Sequence, residues 1–300
     1  MSAHASPRPL ELTVERRRRW ADRAATAVVT LAFALAVAPL VSLLWTVASR
    51  GVERLDAEFL TTSMRGVVGE GGGALHAIAG TLTVTGIATL VSVPVGILAG
   101  VWLSEYGGGR LGRRVGFLVD VMTGIPSIVA GLFAFALFAL FLGPGVRMGV
   151  MGSAALCVLM IPVVVRSTEE MLRLVPRAVR EGAYALGAPK WRVVLQVVLP
   201  TAGAGIVTGV LVAVARVVGE TAPLLVTTGT VSSLNANPFA GRMETLPVFA
   251  FEEYRNPGVP PDPYLARAWA AALTLVAIVL ALNLAARLVQ RRLATGRRPS

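Results

Sequence analysis

The sequence predicts an all-α membrane protein with six transmembrane helices. Hydrophobic residues make up 55% of the 300 residues and charged residues only 15%, and the mean hydropathy is +0.69. The apolar residues are gathered in runs long enough to cross a bilayer, which takes about 20 residues in a helix. The basic residues stand mainly at the ends of these runs. Together, these three observations favour a membrane bundle over a soluble domain.

Six apolar runs follow one another along the chain. The first is too long for a signal-peptide core of about 7–15 residues, and it follows a basic tail at 1–23. The third contains Gly124-Ile125-Pro126-Ser127, where glycine and proline open the backbone unless neighbours satisfy it. A second basic tail occupies 291–300. The predicted spans are about 24–48, 75–103, 115–142, 148–165, 203–228 and 268–289.

The distribution of lysine and arginine predicts the orientation of these spans. With the N-terminus inside, 20 of the 28 basic residues fall in the two tails and the two loops on the inner side. Seven fall in the opposite loops, and Arg216 lies within a span. Loops that stay in the cytoplasm carry such an excess of basic residues. Both termini and the central loop, 166–202, are therefore expected in the cytoplasm.

Several other classes of function find little support. The net charge of +11 is spread over span ends with few aromatic residues, unlike a nucleic-acid-binding face. His4 and His76 are far apart in sequence, so no metal site is expected, and the single Cys157 allows no intrachain disulfide. The only lysine, Lys190, lies between Pro189 and Trp191, so the chain contains no GxxxxGK[ST] nucleotide loop. If the chain's function consumes energy, that energy must come from another chain or from an ion gradient.

The central segment EGAYALGAPKWRVVLQVVLP, residues 181–200, differs from an ordinary loop. Residues 167–186 before and into it have a partly amphipathic helical pattern. Ala183, Gly187 and Ala188 offer a small-residue surface that another chain's groove can approach closely, and Pro189 and Pro200 favour a short helix, a turn and re-entry into the membrane. The alternative is a basic loop that only sets topology. That alternative does not require the Gly and Pro spacing, so a docking role is favoured.

The same segment resembles the EAA loop of ABC importer permeases, which couples the permease to its ATPase. That pattern is E-A-A, three residues, G, nine residues, I-x-L-P. Gly182 departs from it, because the family usually has alanine there, and glycine weakens a helix by roughly 1 kcal/mol. The matching residues are Glu181, Ala183, Gly187, Leu199 and Pro200, with Val197 in the isoleucine position.

Arg216 and Glu220 are the ionisable residues within the predicted fifth span. Four residues apart on a helix, they would share a face and pair directly. Charged groups at membrane depth are costly and usually line a water-filled path or face a partner helix. A guanidinium suits phosphate because it holds an oxyanion through two parallel hydrogen bonds. We expect both residues in a substrate pathway, and a structural ion pair that fixes helix register is the alternative.

Threonines near these spans are further candidates for the pathway. Serine and threonine are common hydrogen-bond partners between transmembrane helices, so each one is individually expected to be structural. The candidates are Thr81, Thr83, Thr85, Thr221, Thr227 and Thr228.

Beyond the central segment, the chain resembles the PstA-type permease subunits of bacterial phosphate ABC importers. The resemblance covers roughly residues 70–290 and rests on GGGALHAIAGTLTVT, LSEYGGG, GIPSIVAGLF, RVVGETAPLL and METLPVFAF. It implies the MetI-like bundle of type I ABC importers and a chain that moves inorganic phosphate by alternating access. It also places Arg216 and Glu220 at the positions of the family's intramembrane charged residues.

The resemblance further implies partners. These are a homologous PstC-type permease, a PstB-type ATPase dimer that binds ATP and Mg²⁺, and an extracytoplasmic PstS-type phosphate-binding protein. This chain is expected to bind no cofactor or metal and to have no catalytic residues.

The sequence leaves three alternative functions open. A permease for another substrate, such as sulfate, molybdate or an amino acid, would have the same central loop. A secondary transporter or channel would use an ion gradient, but it would leave the docking loop unexplained. An intramembrane enzyme lacks support, because no His-, Cys- or Ser-centred catalytic set appears within the spans.

Overall fold

The computed structural model of the chain describes the backbone of residues 9–295 and the side chains of residues 18–288. The outermost parts of the two predicted basic tails, 1–8 and 296–300, lie outside the described residues. Within 9–295 all regular structure is helical. Twelve helices are labelled here in chain order: α1 Pro9–Gly51, α2 Ala57–Thr61, α3 Leu75–Glu105, α4 Arg110–Thr123, α5 Ser127–Leu142, α6 Gly149–Arg173, α7 Arg177–Ala185, α8 Lys190–Val193, α9 Leu199–Val218, α10 Ala222–Thr227, α11 Leu246–Arg255 and α12 Asp262–Thr295. A π-helical turn, Val194–Val198, joins α8 to α9.

The chain divides into two units at Ser49. The first unit is most of α1, a helix that continues through Pro39 and has broadly exposed apolar side chains between Trp20 and Trp45. The second unit, from Arg50 onward, contains all the other helices and the core.

Five helical segments are long and apolar enough to cross a membrane. They are Arg18–Arg54, Leu75–Glu105, Gly149–Arg173, Lys190–Val218 and Asp262–Leu288, and the pair α4 and α5 makes a sixth if it is counted as one bent span. The chain is therefore a multi-pass, all-α membrane protein, as the sequence predicts.

Three predicted spans differ from the observed helices. The third is not one straight helix, because α4 and α5 meet at 107° where Gly124 and Pro126 interrupt the backbone. The fourth continues well beyond residue 165, to Arg173, because the polar residues that follow Val165 keep a helical backbone. The fifth ends at Val218 rather than 228, and α10 follows as a separate short helix. The segment between the fourth and fifth spans is accordingly shorter than predicted.

Helix α6 is the centre of the second unit. Helices α3 and α9 pack on it through glycines spaced four residues apart. A Cβ atom added at Gly100 would lie 2.7 Å from the Thr168 Cβ, and one added at Gly209 would overlap the Ser167 hydroxyl. The three helices share an apolar core that includes Val84, Leu156, Met160, Val164, Ala213 and Val217. Backbones this close leave no room for larger residues at the two glycines.

A second apolar cluster lies where α2, α11 and the first turns of α12 meet α3. Phe59, Leu246 and Phe249 are its largest buried side chains. Arg267 of α12 is 1% exposed beside it and donates to the Glu253 carboxylate at 2.8 Å and to the Gly69 carbonyl at 2.6 Å. A buried arginine thus joins α11, α12 and the glycine-rich segment before α3.

Candidate substrate pathway and coupling segment

Helical structure is interrupted at two places in the bundle, and the helices that follow these interruptions, α5 and α10, pack against each other. One interruption separates α4 from α5 at 124–126, and the other separates α9 from α10 at 219–221. A Cβ added at Gly131, in the second turn of α5, would lie 2.5 Å from the Cα of Pro223, in the first turn of α10. Irregular backbone at membrane depth is tolerated where it is buried in protein or lines a water-filled cavity. The paired interruptions therefore mark the part of this bundle best suited to a polar path.

Arg216 lies at the level of the middle of α6. On one side of it along the chain, Gly209 meets Ser167 near the end of α6. On the other side, Thr228 meets Gly152 near the beginning of α6. Arg216 therefore lies between the two ends of the 25-residue helix α6 rather than beyond either of them, although its own helix ends two residues later, at Val218.

The structure corrects the expected pairing of Arg216 with Glu220. Arg216 occupies the last turn of α9, but the helix ends at Val218, so Glu220 lies in the interruption rather than one turn further along a helix. Among the side chains of residues 18–288, the two form no ion pair, and Arg216 is exposed while Glu220 is half-buried. The difference arises at Gly219, because glycine weakens a helix and α9 ends immediately before it. The guanidinium is thus available to a ligand or to a second chain.

Several of the candidate threonines have structural partners. The Thr81 hydroxyl donates to the Ala77 carbonyl at 2.9 Å and accepts from the Leu246 amide at 2.7 Å. Thr227 and Thr228 are fully buried, and each donates to the carbonyl four residues earlier. Thr221, which is half-buried, lies in the interruption beside Glu220.

An ion network that the sequence did not reveal ties α4 to α6. Arg166 donates to the Gly116 carbonyl at 2.7 Å and to the Asp120 and Glu169 carboxylates at 2.5 Å each. Arg173 donates to the other oxygen of Glu169 at 2.6 Å. Both carboxylate oxygens of Glu169, whose side chain is only 6% exposed, are therefore in ion pairs.

This network borders an open cavity of about 670 Å³, lined also by Thr123 and Gly124 at the start of the α4–α5 interruption. The spacing of Arg166, Glu169 and Arg173, three and four residues apart, was a usable signal for one face of a helix. The predicted fourth span ends at residue 165, whereas α6 continues through all three of these residues to Arg173.

The central segment forms α7, a turn, and the helical run that leads into α9. Glu181 and Gly182 are exposed on α7, and Ala183 is half-buried. Gly187 has φ +78°, a backbone conformation that favours glycine, and it forms the turn after α7. Leu199 and Pro200 begin α9, and Val197 packs against the core formed by Leu172, Val193 and Ile206.

Helix α7 is tied to the end of α3. Arg180 donates to the Glu105 carboxylate at 2.6 Å and to the Leu172 carbonyl at 2.6 Å. Lys190, beyond the turn, donates to the Glu105 carbonyl and lies 4.5 Å from the centre of the Tyr106 ring. Arg180 therefore joins α7 to the end of α3 and to the end of α6. Among residues 18–288 no group of three or more metal-ligating side chains was found.

The family and the relatives that the chain matches are all described as components of transport systems. The profile of the family described as "Binding-protein-dependent transport system inner membrane component" matches residues 92–295. "Phosphate transport system permease protein PstA 1" of Mycobacterium tuberculosis (strain H37Rv) is 45% identical over 99% of this chain and 97% of its own length. "Phosphate transport system permease protein PstA" of Pasteurella multocida (strain Pm70) is 39% identical over 82% of this chain and 86% of its own length.

Solved structures share the fold at lower sequence identity. A chain from the crystal structure of a bacterial alginate ABC transporter, in complex with a pentasaccharide-bound periplasmic protein, has a TM-score of 0.63 and 14% identity. That match covers 93% of this chain and 96% of the other. A chain of the MetNI methionine ABC transporter in an inward-facing conformation has a TM-score of 0.56 and 21% identity, covering 74% and 94%. These likenesses bear on the fold alone.

Proposed function

Because the chain belongs to the binding-protein-dependent transport system inner membrane components and, within them, to the PstA-type permeases, we propose that it is the membrane-spanning subunit of an ATP-driven importer of inorganic phosphate. The single observation that supports the substrate most strongly is the 45% identity, over nearly the whole chain, to a relative named as a phosphate transport permease. The exposed Arg216 beside two helix interruptions is compatible with it, since a guanidinium can hold a tetrahedral oxyanion through parallel hydrogen bonds.

The proposed substrate pathway contains Arg216 and Glu220. An exposed arginine at this depth is costly in lipid, so we place it on the surface that meets a second permease of the PstC type, where water and phosphate reach it. Glu220, in the adjacent interruption, repels the anion and favours its release. Each permease thus contributes part of the path.

The proposed topology has both termini and α7 in the cytoplasm. The excess of lysine and arginine in the inner tails and loops supports this orientation. A PstB-type ATPase dimer would then dock on the exposed surface of α7, and it would hold the ATP and Mg²⁺ because this chain has no nucleotide loop. An extracytoplasmic PstS-type binding protein would deliver phosphate to the opposite face.

The mechanism we propose is alternating access driven from α7. Closure of the ATPase dimer displaces α7, and the ion pair between Arg180 and Glu105 carries this displacement into α3. The half-buried network at Arg166 and Glu169 lies on the same side of the bundle and holds α4 against α6. Movement of these helices would expose the path around Arg216 first to the outside and then to the cytoplasm.

Glu181→Lys is expected to weaken docking of the ATPase, because it reverses an exposed charge on α7 that has no partner within the described part of this chain. The amount of ATPase that co-purifies with the permease should fall severalfold. Glu53→Lys, which makes the same reversal at an exposed residue of the 3-10 turn Val52–Arg54 that follows α1, serves as the control. Normal co-purification of the Glu181→Lys chain would remove the coupling role of this residue.

Uptake of radiolabelled phosphate tests the function as a whole. Cells without their own phosphate permeases would express this chain with its presumed partners, and uptake would be measured with competing sulfate and after ATP depletion. We expect uptake that requires ATP and is unaffected by sulfate. Inhibition by sulfate would leave the assignment as an ATP-driven importer intact but would contradict the assignment of its substrate. Uptake that survives ATP depletion and stops with the ion gradient would contradict the proposal.

A further inference from the structure

Helix α4 carries a concentrated and uncompensated positive charge. Arg110, Arg113 and Arg114 are all exposed and form no ion pair with any described side chain. The first turn of α4 contains no acidic residue that could neutralise them. Phe117, 70% exposed, completes the lining of a shallow cavity of about 350 Å³ with these three arginines. The ion networks described above involve none of the three arginines.

The position of α4 puts this charge at a membrane surface. Its 14 residues extend over about 21 Å, too short to cross a hydrocarbon core of about 30 Å. It begins directly after the span helix α3 ends at Glu105, and its axis is turned by 107° from that of α5. The first turns of α4 thus lie where a span leaves the membrane.

The exposed side chains of α4 change character along the helix. The three arginines occupy its first half together with the exposed Leu111. The exposed residues of its second half include the apolar Phe117, Leu118 and Val121, and its one exposed charge, Asp120, is paired with Arg166. Arginine near an anionic bilayer surface gains binding energy, while apolar side chains favour the acyl-chain boundary. This order suits a helix that enters the bilayer obliquely from the headgroup layer.

We propose that the basic elbow, defined as Arg110, Arg113, Arg114, Phe117 and Leu118, binds the headgroup of an anionic phospholipid. The arginines contact the phosphate and the negative charge of the headgroup, while Phe117 and Leu118 contact the acyl chains. The assignment of this lipid to the cytoplasmic leaflet rests on the proposed topology. The binding of the lipid does not depend on phosphate transport.

Native mass spectrometry of the purified full-length chain can test this inference. The chain in detergent would be exposed to equal amounts of phosphatidylglycerol and phosphatidylcholine with identical acyl chains. Each arginine close to an anionic surface contributes roughly a fivefold gain in binding. In the variant R110Q/R113Q/R114Q, the preference for phosphatidylglycerol over phosphatidylcholine should therefore be at least about tenfold weaker than in the unmodified chain. The single variant R113Q should show a smaller loss in the same direction.

The matched control is R65Q/R242Q/R255Q, which removes three exposed arginines elsewhere in the chain. We expect it to keep the preference of the unmodified chain. Equal losses in both triple variants would mean that net charge alone attracts the lipid, and would overturn the proposal. An unchanged preference in R110Q/R113Q/R114Q would also overturn the proposal. Reduced co-purification of the ATPase with that variant would then assign the basic elbow to a protein partner. Because the measurement uses neither phosphate nor ATP, its failure is distinct from failure of the proposed transport.

Discussion

Replacement of Arg267 by leucine is expected to destabilise the protein by about 3–5 kcal/mol, the usual cost of removing one partner of a buried ion pair. Arg267 is 1% exposed, and its loss leaves the Glu253 carboxylate, 12% exposed, without its cation. The carbonyl of Gly69 loses a donor as well. The midpoint of thermal unfolding in detergent micelles should fall sharply. Arg255→Leu, at an exposed cation of α11 without an ion pair, provides the control.

The loss should also depend on pH. Burial raises the pKa of Glu253 above its ordinary 4.5, and the nearby charge of Arg267 opposes that rise. Without Arg267 the pKa rises further, and a raised pKa in the folded state favours folding at low pH and disfavours it as the pH passes that pKa. The destabilisation should therefore be largest near neutrality and shrink as the pH is lowered toward 4.5. A pH-independent loss equal to that of Arg255→Leu would contradict the buried pair.

Arg216→Gln is expected to reduce phosphate uptake by roughly tenfold or more, since a hydrogen bond to a charged group contributes about 1.5–3 kcal/mol. The reason is that glutamine cannot hold the oxyanion through a charged, two-pronged contact. Arg216→Lys should retain part of the activity, because it keeps the charge but loses the planar fork. Initial rates of radiolabelled uptake at equal membrane expression provide the measurement.

Assembly should survive this change, because Arg216 is exposed and has no ion pair among the described side chains. Co-purification of the partner permease and the ATPase would establish that. Arg242→Gln removes an exposed arginine from the loop between α10 and α11 and should leave uptake unchanged. Normal uptake by the Arg216→Gln chain would exclude Arg216 from the substrate pathway.

The sequence predicted the membrane class and the family because both depend on signals that are local in the chain. Apolar runs of membrane length and the spaced motifs around residues 124–131 and 181–200 are visible without contacts. The interruption at Gly124 and Pro126 was likewise visible, but its 107° angle was not, since the angle depends on packing against α6 and α10.

The candidate site was only partly predictable. Arg216 stood out as a charge in an apolar run, but its separation from Glu220 depends on where α9 ends. Arg166 and Asp120, which are 46 residues apart, meet only because α4 folds back along α6. Such pairs cannot be recognised from one sequence, because no local pattern connects them.

The glycine contacts on α6 determine which parts of the bundle can move. Thr168 and Ser167 pack directly against Gly100 and Gly209, so close contact at these glycines opposes sliding of α3 and α9 along α6. We therefore expect these three helices to move together when the bundle changes conformation. Bending is expected instead at Gly124 to Pro126 and at Gly219 to Thr221, where the helical structure is already interrupted.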